Sequence, residues 1–195
     1  YVYPELDVRY PLDVFPMADV TLYAKWDAVS FRQGFEDYSD YRNRLGEDYA
    51  YYRPGTAGYN PNFVHEGIKS IHRIGQTDAE SDFVLFGDEI GKLAVGTVYE
   101  MTFWVYIDEY AKLPALSLVL SDGSTVEAEA VSVTAMDALD ASQKGSWQKV
   151  TFTFTADAAY ARLRTSGQGS LYFDDFMLMP VGTGDTPVIG PGSES

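Results

Sequence analysis

An eleven-residue run of aromatic and β-branched residues constrains the fold more than any other feature of the sequence. It extends from Thr97 to Ile107 and reads Thr-Val-Tyr-Glu-Met-Thr-Phe-Trp-Val-Tyr-Ile. Such residues are enriched in β-strands, where successive side chains point to opposite faces of the sheet. We therefore predict a strand whose odd-numbered residues form part of the core. The other face carries Trp104 and Tyr106 and either packs against the protein or binds a ligand.

Short strand-like segments separated by turn-forming residues continue along the chain. The clearest are Leu116–Leu120, Val126–Val133, Trp147–Thr155 and Gly169–Met179. Asp122-Gly123 lies between the first two and is a typical hairpin turn, because both residues tolerate positive φ. Met136–Gln143 has room for only a turn or two of helix. The pattern predicts an all-β fold, a sandwich of two antiparallel sheets spanning residues 28–181.

The two ends of the chain have a different character. Residues 1–27 contain three prolines and one clear strand, Ala18–Trp26, whose pairing partners we expect to lie upstream of Tyr1. Residues 182–195 are rich in Gly, Pro and Ser, as linkers are. We therefore expect further domains of the same polypeptide on both sides.

The composition argues against several classes of function. The 195 residues include 14 Lys and Arg against 29 Asp and Glu, a net charge of −15, which disfavours nucleic acid and anionic membrane surfaces as partners. No stretch approaches the roughly 18 apolar residues of a membrane span. Cysteine is absent, only two histidines occur, and neither a Gly-x-Ser-x-Gly nucleophile motif nor a glycine-rich phosphate loop is found. We predict that the protein is not an enzyme.

Two resemblances to known families add context. Met17-Ala-Asp-Val-Thr-Leu-Tyr-Ala-Lys-Trp26 resembles the closing strand of the internalin-type B-repeat, a β-grasp-like extracellular spacer of surface proteins that are mostly bacterial. This resemblance implies that residues 1–27 are the C-terminal part of such a repeat. It also implies that the protein is secreted or displayed on a bacterial cell surface.

The second resemblance covers about residues 31–180. It is carried by Gly34-Phe-Glu36, by His65-Glu-Gly-Ile-Lys-Ser-Ile71, by Gly145-Ser-Trp-Gln-Lys-Val-Thr-Phe-Thr-Phe154 and by Leu171-Tyr-Phe-Asp-Asp-Phe176. In this order they resemble jelly-roll carbohydrate-binding modules of the galactose-binding-like superfamily, which are attached to polysaccharide hydrolases. The resemblance implies a jelly-roll sandwich that binds glycan. Similar jelly rolls also serve adhesion.

The same resemblance implies a structural calcium site formed by Glu36 with Asp174 or Asp175. Calcium takes six to eight oxygen ligands, which carboxylates and backbone carbonyls can supply. Strand alternation places Asp175 on the same side as Leu171 and Phe173, where an unpaired carboxylate would be costly. The alternative is that these acidic residues are solvated charges at the edge of the sandwich.

A tyrosine-rich segment is the first candidate binding site. It contains Arg53 and six tyrosines: Tyr38, Tyr41, Tyr49, Tyr51, Tyr52 and Tyr59. Flat aromatic rings cover the apolar face of a sugar, and polar neighbours hydrogen-bond to its hydroxyl groups. Alternatively, the tyrosines attach a long loop to the sandwich. Trp104 and Tyr106 form a second candidate surface, unless Trp104 packs under a loop, and we assign Trp147 to the core.

These observations predict a non-catalytic carbohydrate-binding module of a multidomain bacterial protein, which binds glycan by aromatic stacking and polar hydrogen bonds. The alternative is a structural or adhesive spacer module that contacts protein and has no glycan ligand.

Overall fold

A computed structural model describes residues 31–36, 45–46, 48–86 and 92–183. Within these ranges the backbone forms two short 3₁₀ helices, Pro61–Phe63 and Ala141–Gln143, and a series of β-strands. The strands are β1 (Phe31–Gln33), β2 (Tyr49–Tyr52), β3 (Ser70–Gly75), β4 (Ser81–Phe86), β5 (Thr97–Ile107), β6 (Leu116–Ser121), β7 (Ala130–Ala135), β8 (Trp147–Thr155), β9 (Tyr160–Thr165) and β10 (Gly169–Thr183).

The strands form two antiparallel sheets that make a jelly-roll sandwich, as the sequence predicts. Sheet A has the order β2-β3-β10-β5-β8, with β1 pairing to the later part of β10. Sheet B has the order β4-β9-β6-β7. Because β10 and β5 are long and pair at the centre of sheet A, they provide the surface against which sheet B packs.

The core lies between the two sheets and is rich in aromatic rings. The odd-numbered residues of β5 are all buried and the even-numbered ones are partly exposed, which confirms the predicted strand and its faces. Phe103 is fully buried and stacks on Phe176 with ring centroids 4.7 Å apart. Phe83 of sheet B lies against the same Phe176, 5.7 Å away at an interplanar angle of 84°. These rings join the two sheets into one core.

The predicted hairpin after β5 forms, but its turn does not have the predicted geometry. β6 and β7 pair antiparallel, with Ser121 opposite Ala130, so an eight-residue loop, 122–129, replaces a tight turn at Asp122-Gly123. The guanidinium of Arg162 donates hydrogen bonds to the carbonyls of Thr125 and Ala128, at 3.1 and 2.8 Å. These two bonds hold the loop against β9, so residues 122–129 do not extend the pairing of β6 with β7.

The last long strands, β8 and β10, lie where the sequence predicts them. β8 matches its predicted bounds, and β10 continues beyond Met179 to Thr183. Helix within 136–143 is limited to the 3₁₀ turn Ala141–Gln143. The B-repeat-like residues 1–27 and residues 184–195 lie outside the described ranges. The domain boundaries therefore stay predictions.

Replacing Phe103 with alanine tests the core. The ring has no exposed surface, so Phe103→Ala should lower the free energy of unfolding by about 3–5 kcal/mol through lost burial and a residual cavity. Urea denaturation measures the change. Thr153→Ala, an exposed position on β8, is the control and should stay within about 0.5 kcal/mol. Similar small losses for both variants would contradict the assignment of this ring to the core.

Candidate functional site

The outer face of sheet A carries a continuous group of aromatic side chains. We call it the outer-face aromatic cluster. Segment 53–69, which connects β2 to β3, contributes three of its members and the strands contribute the others. The cluster consists of Tyr52, Tyr59, Phe63, His65, His72, Trp104, Tyr106, Trp147 and Tyr172.

Ring stacking attaches segment 53–69 to the sheet. Phe63 stacks on Tyr172 with centroids 4.4 Å apart and an interplanar angle of 10°. His72 stacks on Tyr172 at 4.4 Å and 6°. His65 stacks on Trp104 at 4.0 Å and 18°. Aromatic pairs of this kind contribute about 0.5–1.5 kcal/mol each beyond the area they bury, so the cluster is a substantial contact.

Tyrosine hydroxyl groups complete the attachment. The hydroxyl of Tyr52 donates to the carbonyl of Gly58 and accepts from the amide of Asn60, at 3.1 and 2.6 Å. The hydroxyl of Tyr59 donates to the carbonyl of Ile68 at 3.1 Å. The rings of Tyr52 and Tyr59 also stack, 5.3 Å apart. These two tyrosines therefore fix the fold of the segment in the way that the alternative interpretation of the sequence describes.

Two of the tyrosines predicted to bind ligand are buried, which corrects that prediction for them. Tyr49 is 6% exposed, and its hydroxyl lies 2.7 Å from Oγ1 of Thr165 in the core. Burial raises the pKa of Tyr49 to about 12. Tyr52 is 4% exposed beneath segment 53–69. Neither ring is open to a sugar. Tyr49 and Tyr52 lie on opposite faces of β2, and each face is covered, by the core for Tyr49 and by segment 53–69 for Tyr52.

The other predicted binding residues differ in position. Tyr51, Tyr59, Trp104 and Tyr106 are partly exposed, and Arg53 is exposed. Desolvation raises the pKa of Tyr106, with a further contribution from Asp108. Tyr38 and Tyr41 lie outside the described residues. Ligand binding at the partly exposed positions stays a prediction.

The placement of Trp147 corrects a second expectation. The sequence assigns Trp147 to the core, but it lies on the outer face of sheet A, opposite Tyr106 in the ladder between β5 and β8. Its indole Nε1 donates to the carbonyl of Asn62 at 3.0 Å, and its ring meets His65 edge to face at 5.5 Å. Trp147 therefore holds segment 53–69 from the β8 side. Pairing of Trp147 with Tyr106 places both side chains on the same face of the sheet, so a correct prediction of which strands pair would have placed Trp147 on the outer face.

Two of the three predicted calcium ligands, Glu36 and Asp174, contact one loop, residues 65–69. Oε1 of Glu36 accepts from the amides of Ile68 and Lys69, at 2.9 and 3.0 Å. The Lys69 ammonium donates to the Glu36 carbonyl. Gly67 must be glycine here, since it has a φ of +74° and a side chain would collide with the Glu36 carboxylate.

Asp174 binds the other end of this loop. It is fully buried, and its Oδ2 accepts from the amides of His65 and Glu66, at 2.9 and 3.2 Å. Its Oδ1 accepts from the amide of Asp175 at 2.7 Å. Burial raises the pKa of Asp174 to about 7, although the three amides favour the ionised form.

A β-bulge reverses the roles predicted for the two adjacent aspartates. The register between β10 and β5 shifts between Asp174 and Met177, and Asp175 has a φ of +52°. As a result Phe173 and Phe176 both face the core, and Asp175 does not follow them. Its Oδ1 instead accepts from Nε of Arg32 at 3.1 Å. Asp174 is therefore the fully buried aspartate, and the side of the strand that alternation predicts for Asp175 is wrong.

Glu36 and Asp174 contact the same loop, but they offer fewer oxygen ligands than calcium takes. Backbone amides already bind both carboxylates. In the described ranges, no group of three or more His, Cys, Asp or Glu side chains is arranged to hold a metal ion. Calcium, with Glu36 and either aspartate, stays a prediction.

Sheet B has a polar cleft on its outer face. We use this name for a cavity of about 420 Å³ lined by Gly46, Asp48, Glu80, Ser81, Asp82, Val126 and Arg164. Phe83 and Leu163 point into the core, so alternation turns Asp82 and Arg164 outward. The loop 122–129 supplies Val126 on one side, and the segment before β2 supplies Gly46 and Asp48.

Paired charges form the floor of the polar cleft. Asp82 accepts from Nε and Nη2 of Arg164, at 2.8 and 3.0 Å, and from Nε of Arg162, at 3.1 Å. The hydrogen bond to Asp82 raises the pKa of Arg164, so this guanidinium stays charged. Nη1 of Arg164 lies 3.3 Å from Oε2 of Glu80. Bidentate geometry and burial fix Asp82 and its arginine partners in place, as a binding site requires, whereas the side chain of Glu80 is 64% exposed. Nothing in the sequence pattern marks this cleft, because its residues come from four separate segments.

Comparison with known proteins identifies the fold. No family model and no curated protein matches the chain. The tandem CBM22-1–CBM22-2 domain of Paenibacillus barcinonensis Xyn10C is a similar solved structure, at 15% identity over 88% of this chain and 50% of that one, with a TM-score of 0.52. The isolated CBM22-1 xylan-binding domain of that protein is 15% identical over 80% of this chain and 97% of that one, with a TM-score of 0.49. The K1 cleaved adhesin domain of Lys-gingipain from Porphyromonas gingivalis W83 is 13% identical over 79% and 99%, with a TM-score of 0.49.

This chain has a jelly-roll β-sandwich fold, which it shares with the tandem CBM22-1–CBM22-2 domain. At these identities the likeness concerns the fold and does not extend to a ligand. The structure contains no helix long and apolar enough to span a membrane within the residues it describes.

The partly buried His72 generates a prediction about pH. Desolvation lowers the pKa of His72 to about 4, and its Nε2 has no hydrogen-bond partner among the described residues. In the unfolded chain histidine titrates near 6.5, so between about pH 6.5 and 4 the unfolded state binds more protons. His72 therefore makes folding less favourable as the pH falls through this window. The effect of Asp174 has the opposite sign and is common to wild type and variant.

Comparing wild type with His72→Gln isolates the contribution of His72 to the pH dependence of the free energy of unfolding. Unfolding in urea at pH 7 and at pH 4 should show that the wild type loses more stability on acidification than His72→Gln does. Equal losses would contradict the neutral, desolvated state of His72.

The calcium prediction can be tested by thermal melting. At ten times its Kd, calcium would add about 1.4 kcal/mol to stability, which is about 3–5 °C for a domain of this size. Melting curves with calcium chloride and with EGTA should differ by this amount in the wild type and not in Glu36→Gln. An unchanged wild-type midpoint would count against the site.

Proposed function

We propose that this protein is a non-catalytic glycan-binding module and that the polar cleft of sheet B is its binding site. The observation that carries the proposal is the set of three carboxylates around a cavity of about 420 Å³, in which two arginines hold Asp82 and the side chains of Asp48 and Glu80 are exposed. Ligand pockets have volumes of about 300–1,000 Å³, so the cavity has room for one or two sugar rings. Carboxylates accept hydrogen bonds from sugar hydroxyl groups.

The outer-face aromatic cluster supports this choice of surface. Its rings stack on one another and on segment 53–69, so much of the aromatic surface that could cover a sugar is already used within the protein. The charged groups of the polar cleft instead border open space. Trp104 and Tyr106 remain the competing site, because both are partly exposed.

The likeness to CBM22 domains supports the proposal at the level of fold. One of these relatives is described as xylan-binding and another forms a tandem pair. We propose that this module also belongs to a multidomain, secreted or surface-displayed bacterial protein. There a module of modest affinity keeps its parent near a polymer, because tethering raises the effective concentration. An adhesive or spacer role without a glycan ligand is the alternative.

Affinity measurements with two matched variants test the site. The wild type is titrated with soluble neutral plant, host and microbial polysaccharides. Arg164→Gln removes the guanidinium that binds Asp82 and contacts Glu80, so the carboxylates of the polar cleft lose their position and binding should weaken about tenfold, the equivalent of one charge-assisted hydrogen bond. Arg53→Gln makes the same chemical change in the tyrosine-rich segment and should change affinity less than twofold. Melting midpoints show whether each variant is folded.

Two results would contradict the proposal in different ways. If the wild type binds none of the glycans, the spacer alternative is favoured. If Arg53→Gln or Trp104→Ala abolishes binding and Arg164→Gln does not, the glycan lies on the aromatic face of sheet A, as the sequence predicts.

A further inference from the structure

The arginines around the polar cleft direct most of their donors into the protein. Arg164 directs Nε and Nη2 to Asp82. Arg162 has a side chain that is only 3% exposed, and it binds Asp82 and two carbonyls of the loop 122–129. Arg73 has a fully buried side chain that donates to Oγ of Ser81 and to the carbonyls of Ala79 and Gly167. These guanidinium groups therefore have few N–H groups left for a ligand.

The carboxylates at the mouth of the polar cleft are oriented differently. The side chains of Glu80 and Asp48 are 64% and 38% exposed. The contact between Glu80 and Arg164 is 3.3 Å, and that between Asp48 and Arg73 is 3.9 Å, so both ion pairs are long. An ionised carboxylate only accepts hydrogen bonds. The exposed rim of the cleft therefore presents acceptors and negative charge.

We propose that Asp48 and Glu80 are specificity-determining residues that make the polar cleft select neutral glycans and reject glycans with carboxylate or sulfate groups. This inference rests on the proposed function. Hydroxyl groups of a neutral sugar donate to the two carboxylates. An anionic group at the same place meets like charge a few ångströms away and finds the guanidinium donors already in use, so discrimination comes from repulsion as well as attraction.

The net charge of −15 also repels anionic polymers, but over a longer range. Salt screens that background, because the Debye length falls to about 3 Å at 1 M, while charges in close contact within a cleft are screened less. A preference for neutral glycans that persists at high salt therefore originates in the cleft. A preference that disappears with salt originates in the overall charge.

The experiment compares matched glycans. An array carries neutral and uronate- or sulfate-bearing forms of the same plant, host and microbial polysaccharides, and calorimetry measures the best-bound pair at 0.1 and 0.5 M salt. The wild type should bind the neutral form at least tenfold more tightly at both salt concentrations. The double variant Glu80→Gln with Asp48→Asn should reduce that ratio about tenfold. Glu109→Gln with Asp137→Asn changes the net charge equally at exposed positions that do not line the polar cleft, and should leave the ratio unchanged.

Each outcome is decisive. Equal wild-type affinity for both members of a pair, or an unchanged ratio in the double variant, would overturn the specificity inference and leave glycan binding intact. An equal fall in the control variant would assign the preference to net charge and would overturn it as well. Binding to no member of any pair would overturn the proposed function, and the inference with it.

Discussion

Side chains of a β-strand alternate between two faces, so each sheet of a sandwich has a second face that the core does not use. In this protein the chemistry of that second face differs between the sheets, and the difference governs the rest of the structure. Sheet A turns Trp104, Tyr106 and Tyr172 outward, and a long segment folds over them. Sheet B turns Asp82 and Arg164 outward, and these charges remain beside an open cavity. Burying aromatic surface stabilises the folded protein, whereas paired charges near solvent gain little from burial.

Asp82 illustrates why the polar cleft is rigid. Its two oxygens receive three N–H groups from Arg162 and Arg164, and Arg162 extends the connection to the loop 122–129. One carboxylate therefore joins two neighbouring strands to the wall of the cavity. Removing such a group would leave buried guanidinium charge uncompensated, which costs more than the ion pair itself contributes. The side chains of Glu80 and Asp48 stay exposed at the mouth of the polar cleft.

Local pattern was sufficient to predict the fold, and it was insufficient for the site. The alternation in Thr97–Ile107 predicts the strand and its two faces, and the series of short strands separated by turn residues predicts the all-β class, because these features depend on neighbours along the chain. Tyr49 and Tyr52 are buried although the sequence predicts them to bind ligand, since composition does not show which rings a sheet will cover. Asp174 is buried in place of Asp175, because a β-bulge shifts the register of β10 and the alternation of residue types does not show it. The polar cleft combines residues about 120 positions apart, so only the three-dimensional pairing of β4 with β9 reveals it.

Nuclear magnetic resonance of the protein during a glycan titration decides between the two outer faces as the binding surface, because the side-chain N–H signals of tryptophan and arginine report on them separately. With the best-bound neutral oligosaccharide, we expect the Nε–H signals of Arg162 and Arg164 to shift and the indole signals of Trp104 and Trp147 to stay in place. Shifts confined to the two indole signals, with the arginine signals unchanged, would contradict binding at the polar cleft.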